Sequence, residues 1–163
     1  MFSIQKKSIY LIIFNATMIG RSLGRSISKK WRKQRIIEFK KCVFNELDRL
    51  CRKMDNDTLT TRQIRNSIKR IDKIPNVSYG QAQKAINVIL KYHYIIYHFG
   101  ETVGSRLDCP LDSFILKLLE ENNIPLLKMN YNCYCRIQKK IQNPRIDFDD
   151  NWDKAHLKRH QLL

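Results

Sequence analysis

One mostly apolar segment of the sequence contains polar side chains of types that bind ligands or take part in catalysis. Its polar residues recur every three or four positions: Lys84, Asn87, Lys91, Tyr94 and His98. In a helix, which turns by about 100° per residue, they fall within about 80° of arc on one face. Two interpretations stay open. The face is a solvent-exposed stripe, or it is a groove in which the lysines hold phosphates and the other three side chains bind a base or sugar.

His98 is the candidate general base if the protein is an enzyme, because histidine exchanges a proton near neutral pH. The sequence shows no carboxylate partner for it. The chain also contains no Walker A sequence, no G-x-G-x-x-G, no G-x-S-x-G and no protein kinase signature set, which mark common nucleotide-binding and catalytic sites. The sequence therefore favours a protein that binds its partner without catalysis.

Two groups of side chains have part of the chemistry of a metal site. Cys133, Cys135 and Cys109 offer thiolates, but C-x-C departs from the spacing of structural zinc sites. His156 and His160 lie four residues apart, yet they also suit the C-terminal end of a short helix, where the helix dipole favours positive charge. We therefore expect no metal and no cofactor.

Charge is the strongest signal in the sequence. The 163 residues include 31 Lys and Arg against 15 Asp and Glu, a formal net charge of +16. Residues 1–53 carry 14 basic and 3 acidic side chains, a net charge of +11, whereas residues 101–163 carry only +1. This polarised excess favours a polyanionic partner, because lysine and arginine displace the counterions that condense on nucleic acid phosphates.

We predict that the basic N-terminal part binds DNA or RNA through the phosphate backbone, with Trp31 placed to stack on an unpaired base. A helix-turn-helix unit would bring Arg62 and Arg65 to base edges, but the turn before them carries Asp55 and Asp57 and lacks a glycine. The predicted nucleic-acid-binding residues are Arg21, Arg25, Lys29, Lys30, Trp31, Arg32, Lys33, Arg35, Lys40, Lys41, Arg62, Arg65, Lys84, Asn87 and Lys91.

Three classes of function follow from these features. The first is a non-enzymatic nucleic-acid-binding protein. The second is a small nuclease or another nucleic-acid-processing enzyme that uses His98 or the C-terminal Asp and His residues. The third is a binder or inhibitor of an acidic protein. The five cysteines match no disulfide framework of secreted proteins, so we expect reduced thiols and a cytoplasmic location.

The elements that position these residues are predicted to be helices. Apolar residues at helical spacing indicate helices over about 28–54, 60–73, 78–99, 108–121, 131–142 and 152–160. The third begins with the capping-box pattern Ser78-x-x-Gln81 and is apolar around most of its circumference, which is typical of a central helix. The sequence therefore predicts an all-α, single-domain bundle of five or six helices around a central apolar helix.

The N-terminus carries an apolar run, residues 9–14, directly after Lys6 and Lys7. The run is shorter than the roughly 20 residues of a transmembrane helix, so we expect no membrane span. We interpret it as a core element, either strand or helix, in preference to an export signal, and Met18 offers an alternative start. Residues 1–26 are thus an N-terminal arm or apolar first element, basic from residue 21, and residues 27–163 form the helical domain.

Overall fold

The computed structural model of the protein describes residues 3–17 and 33–159. In these two ranges the chain forms seven α-helices and no β-strand, in one compact domain. They are α1 (Ile4–Phe14), α2 (Lys33–Asp55), α3 (Thr61–Asp72), α4 (Tyr79–Tyr97), α5 (Ser113–Leu118), α6 (Tyr131–Lys140) and α7 (Asp150–Arg159). The predicted all-α bundle is confirmed.

Helix α4 is the centre of the bundle, as its apolar circumference predicts. Every residue from Tyr79 to Lys91 is buried. Helices α1, α2, α3 and α6 pack against it, together with a 3-10 turn at Leu126–Lys128. Surrounding elements explain why α4 is apolar around most of its circumference.

Two helix starts follow the capping boxes in the sequence. The Ser78 hydroxyl accepts a hydrogen bond from the backbone N–H of Gln81, and the Gln81 side chain accepts one from the backbone N–H of Ser78. Thr60 and Gln63 form the same reciprocal pair at the start of α3. These bonds satisfy backbone donors that have no partner inside a helix.

The predicted start of α5 near Asp108 is wrong. The helix begins at Ser113, and Asp112 caps it by accepting hydrogen bonds from the backbone N–H groups of Phe114 and Ile115 at 2.9 and 3.0 Å. Asp108 has the sequence signature of a cap but is buried at another site. Two aspartates flank Pro110, and only tertiary contacts decide which one serves as the cap.

The N-terminal apolar run is a helix, and one face of it joins the core. Tyr10 and Phe14 of α1 are buried. The Phe14 ring lies 5.9 Å from the ring of Phe39 and 6.0 Å from that of Phe44, measured between centroids, on α2. Among the described residues, no helix is long and apolar enough to cross a membrane.

Candidate functional site

The polar face of α4 does not meet solvent. Lys84, Asn87, Lys91 and Tyr94 are buried, with 9, 2, 4 and 9% of their surface exposed. The interpretation of this face as a solvent-exposed stripe is therefore wrong for these four residues, and only His98, at the end of the helix, is partly exposed. The segments after α4 cover the face and supply hydrogen-bond and ion-pair partners, which a buried polar group needs.

Asn87 belongs to a buried hydrogen-bond network and does not face a ligand groove. Its amide donates hydrogen bonds to the Tyr134 hydroxyl at 2.8 Å and to Gln83 Oε1 at 3.2 Å. The Tyr134 hydroxyl in turn donates to Asp108 Oδ2 at 3.0 Å. The amide therefore links α4 to α6 and to the loop before α5, which is a structural role.

Asp108 is a fully buried carboxylate that two arginines neutralise. Arg65 donates to both carboxylate oxygens, from Nε at 2.8 Å and from Nη2 at 2.9 Å, and Arg145 Nε donates at 2.8 Å. Bidentate arginine–carboxylate pairs are strong and geometrically specific. Arg65, predicted to contact nucleic acid, is thus committed to an interior ion pair, whereas Arg62 on the same helix is exposed.

Lys84 and Lys91 line one cavity of about 260 Å³. Lys91 Nζ lies 2.7 Å from Asp149 Oδ2 and 2.5 Å from Asp153 Oδ2, and Lys84 Nζ lies 3.7 Å from Asp112 Oδ2. The predicted groove exists at this point, but Asn87, Tyr94 and His98 do not line it. Three carboxylates against two lysines give the cavity wall no excess of positive charge, so it is unsuited to phosphate.

Burial and pairing shift the ionisation of this cluster. Burial raises the pKa of Asp149 to about 6, although Lys91 acts in the opposite direction. Burial alone would lower the pKa of Lys91, but Asp149 and Asp153 raise it. A lysine held by two carboxylates stays charged and is not available as a general base.

His98 has two carboxylate partners that the sequence did not reveal. Its Nε2 lies 3.0 Å from Asp55 Oδ1, and its Nδ1 lies 2.9 Å from Glu101 Oε2. Asp55 is the last residue of α2, 43 positions away in sequence. Glu101 is only three positions away, which was a local hint in the sequence, whereas Asp55 showed itself only by interrupting an apolar pattern.

The same Asp55 oxygen also lies 2.8 Å from Nε2 of His93, a fully buried residue that sequence reasoning overlooked. The Nδ1 of His93 is hydrogen-bonded to the Tyr10 hydroxyl of α1. Burial lowers the pKa of His93. Burial would raise the pKa of Asp55, but hydrogen bonds from His98 and His93 hold it below its ordinary value, so the carboxylate is charged at neutral pH.

The predicted basic interface lies only partly within the described residues. Those outside are Arg21, Arg25, Lys29, Lys30, Trp31 and Arg32, and the side chains of Lys33 and Arg35 in the first turn of α2 are not described. Lys40 Nζ donates to Asn15 Oδ1 at 3.0 Å and lies 5.8 Å from the centre of the Phe14 ring. Lys41 is exposed on the same helix.

No protein family, no curated protein and no solved structure matches this chain. Its function is therefore inferred from its own residues and their arrangement.

Proposed function

We propose that the protein is a non-enzymatic nucleic-acid-binding protein that holds DNA or RNA by its phosphates. One observation carries this proposal. At least nine of the 15 carboxylates pair with a lysine or arginine, among them Asp108, Asp149 and Glu121, whose side chains are at most 11% exposed. Even if all 15 carboxylates were paired, 16 of the 31 basic side chains would have no carboxylate to neutralise them.

A groove between α1 and α2 supports a binding surface at the N-terminal end. Lys7, Lys40 and Lys41 border it, and Leu11 and Phe44 contribute to its apolar part. Basic side chains beside an apolar or aromatic floor suit single-stranded nucleic acid, because the phosphates meet charge and the bases meet an apolar surface.

The proposed interface is smaller than the sequence-based prediction. Arg65, Lys84, Asn87 and Lys91 are left out, because ion pairs or hydrogen bonds inside the bundle engage their side chains. The groove adds Lys7, which the sequence did not suggest. The remaining predicted members are Arg21, Arg25, Lys29, Lys30, Trp31, Arg32, Lys33, Arg35, Lys40, Lys41 and Arg62.

The test measures binding of labelled single-stranded and duplex oligonucleotides by fluorescence anisotropy over a salt titration. The first variant combines Lys7→Gln, Lys40→Gln and Lys41→Gln. Its matched control combines Lys117→Gln, Lys128→Gln and Lys139→Gln, three exposed lysines of the C-terminal part. We expect the first variant to lose affinity and to flatten the salt dependence by up to about 0.7 per lost single-strand phosphate contact, with the control close to wild type.

Two results would overturn this assignment. Equal losses in the two triple variants would mean that total charge, and not the groove, governs binding. Absence of salt-dependent binding to any oligonucleotide, together with stoichiometric binding to an acidic polypeptide, would replace nucleic acid with an acidic protein partner.

The nuclease alternative gains one specific observation, the carboxylates beside His98. A carboxylate at one ring nitrogen orients a histidine as a general base, and catalysis here would require the other nitrogen to exchange its carboxylate for the substrate. Incubation of labelled RNA and DNA with the purified protein distinguishes the two functions. We expect intact oligonucleotides, and cleavage that disappears in His98→Ala would make the enzyme the better description.

A further inference from the structure

Three side chains from two helix ends bring metal-ligating atoms together. A carboxylate oxygen of Asp55 and one ring nitrogen from each of His93 and His98 all lie within 4.8 Å of one another. Asp55 ends α2, His93 lies in the last turns of α4, and His98 follows its last residue. Two imidazoles and one carboxylate form a donor set that zinc and other first-row divalent ions accept.

The outer partners of the histidines match those of metal-bound imidazoles. A histidine that binds a metal through one nitrogen commonly donates its other N–H to a carboxylate or another acceptor, which fixes the ring. Glu101 Oε2 lies 2.9 Å from Nδ1 of His98, and the Tyr10 oxygen takes the same place at Nδ1 of His93. Both Nε2 atoms are then left to face Asp55.

The hydrogen-bond inventory of His98 supports an additional cation. Both ring nitrogens face carboxylate oxygens, at 3.0 and 2.9 Å. A neutral imidazole has a single N–H, so the second acceptor is satisfied only when a cation, either a second ring proton or a metal ion, lies between Nε2 and Asp55. In both cases Nδ1 donates to Glu101.

The distances from Asp55 to the two histidines require little adjustment, and the two histidine nitrogens lie within 4.8 Å of each other. The two Nε2 atoms lie 2.8 and 3.0 Å from Asp55 Oδ1. Tetrahedral zinc with bonds of about 2.0 Å places its ligand atoms about 3.3 Å apart, so the side chains need to separate by a few tenths of an ångström. The Asp55 side chain is 39% exposed, which leaves a route for the ion and solvent at its open side.

We propose that Asp55, His93 and His98 bind a divalent transition-metal ion, best matched by zinc, with the fourth position open to water. This site departs from the expectation that the protein takes no metal. It does not depend on the proposed function, since its ligands lie outside the α1–α2 groove.

Lys6 provides a sharp internal test of this site. Its ammonium group lies 3.7 Å from Asp55 Oδ2 and 4.3 Å from the centre of the Tyr97 ring. This positive charge competes with a metal ion for the carboxylate. Its side chain is 28% exposed, so it can move into solvent when an ion binds, and Lys6→Met should raise metal affinity severalfold.

The experiment uses the full-length protein stripped with a chelator and then titrated with Zn²⁺ against a chromophoric competitor, and with Co²⁺ as a spectroscopic probe. We expect one ion per chain and the intense visible absorption of tetrahedral Co²⁺ without a thiolate charge-transfer band. Because cysteines also bind zinc, the titration is repeated in a Cys133→Ser, Cys135→Ser variant. Retained affinity in that variant supports the proposed site.

The ligand variants are Asp55→Asn and His98→Ala, with folding checked by circular dichroism. Each should lower zinc affinity by more than about 100-fold, because loss of an outer partner alone costs about 10–100-fold. Asp57→Asn is the matched control: it removes the same charge two residues away, from a carboxylate paired with Arg106 at 2.8 Å, and should bind zinc like wild type. Binding that persists in folded Asp55→Asn and His98→Ala, or no binding by Lys6→Met, would overturn the proposal.

Discussion

Lys91 has an unusual position for a lysine, since its ammonium group lies inside the bundle and meets two carboxylates. Taking a charge out of water costs several kcal/mol, and a well-placed partner offsets that cost. Asp149 and Asp153 are such partners. Polarity and spacing along α4 could not show this, because a helical pattern gives the direction of a side chain but not what covers it.

Lys91→Ala should therefore destabilise the protein by about 3–5 kcal/mol at neutral pH, because it leaves the Asp149 carboxylate buried without its cation. Urea unfolding followed by circular dichroism measures the change. Adding Asp149→Asn should recover part of the loss. A loss below about 0.5 kcal/mol would instead be the behaviour of a solvent-facing position and would contradict the buried pair.

Asp149 predicts a specific pH dependence of stability. Its pKa is about 6 in the folded protein, against an ordinary value of 3.8, so the folded state binds a proton that the unfolded state releases between these values. Its contribution to stability is present at low pH and is lost as the pH rises through about 6, by up to about 3 kcal/mol.

The comparison with Asp149→Asn isolates this contribution from other titrating groups. Between about pH 4 and pH 6 the free energy of unfolding of wild type should fall relative to that of the variant, which has no proton to lose at this position. A constant difference over that range would mean that Asp149 titrates normally.

At the scale of elements, the helices with strong local signals were predicted well. Helix α4 was expected over 78–99 and spans Tyr79–Tyr97, and α3 was expected over 60–73 and spans Thr61–Asp72. Both have capping boxes, which act within four residues and so can be read from the sequence alone. Helix α1 was left open between strand and helix, because six apolar residues carry no decisive periodicity.

The contacts that form the candidate sites, unlike the helices, could not be predicted from local sequence. Asp55 and His98 are 43 positions apart, and Arg65 and Asp108 are also 43 apart. Such contacts depend on how the helices pack, which no local pattern contains. The sequence therefore identified His98 as a reactive side chain but could not reveal its contact with Asp55, whereas Glu101, three positions away, and His93 on the same helix were overlooked.

Gly80 allows the close contact between α4 and the 3-10 turn at Leu126–Lys128. A Cβ atom at this position would lie 2.2 Å from the carbonyl oxygen of Leu126. That oxygen also accepts a hydrogen bond from the Ser78 hydroxyl at 2.9 Å, so it cannot move away without a further loss. In an ordinary helix, replacing glycine with alanine stabilises by about 0.5–1 kcal/mol.

Here we expect the opposite sign. Gly80→Ala should lower the free energy of unfolding by about 1–3 kcal/mol, as overpacking in a core does, and Gly80→Val should lower it further. Thermal or urea unfolding measures both. Stabilisation by the alanine variant would show that the turn moves away freely and that this contact is not a constraint on the fold.

The whole molecule is organised by the separation of its charges. Carboxylates and arginines pair between distant parts of the bundle, as in the links from Glu46 to Arg70 and from Asp108 to Arg145. The unbalanced charge is concentrated in residues 1–53, at +11, with nearly neutral residues 101–163 at the other end of the chain. If nucleic acid binding depends on this distribution, removing the same charge from the N-terminal and from the C-terminal part must change the affinity by different amounts.

Two quadruple variants test that dependence, and both reduce the formal net charge from +16 to +12. One replaces Lys29, Lys30, Arg32 and Lys33 with serine, and the other replaces Lys117, Lys128, Lys139 and Lys154. The first should weaken binding to all nucleic acid sequences alike and lower the salt slope by up to about 0.9 per lost duplex phosphate contact, because it removes phosphate contacts and not base contacts. The second should keep most of the wild-type slope.

Anisotropy titrations at several salt concentrations measure both slopes, and circular dichroism confirms that the bundle is intact. Equal slopes in the two variants would mean that the molecule responds only to its total charge, and the assignment of the N-terminal part as the binding surface would be wrong.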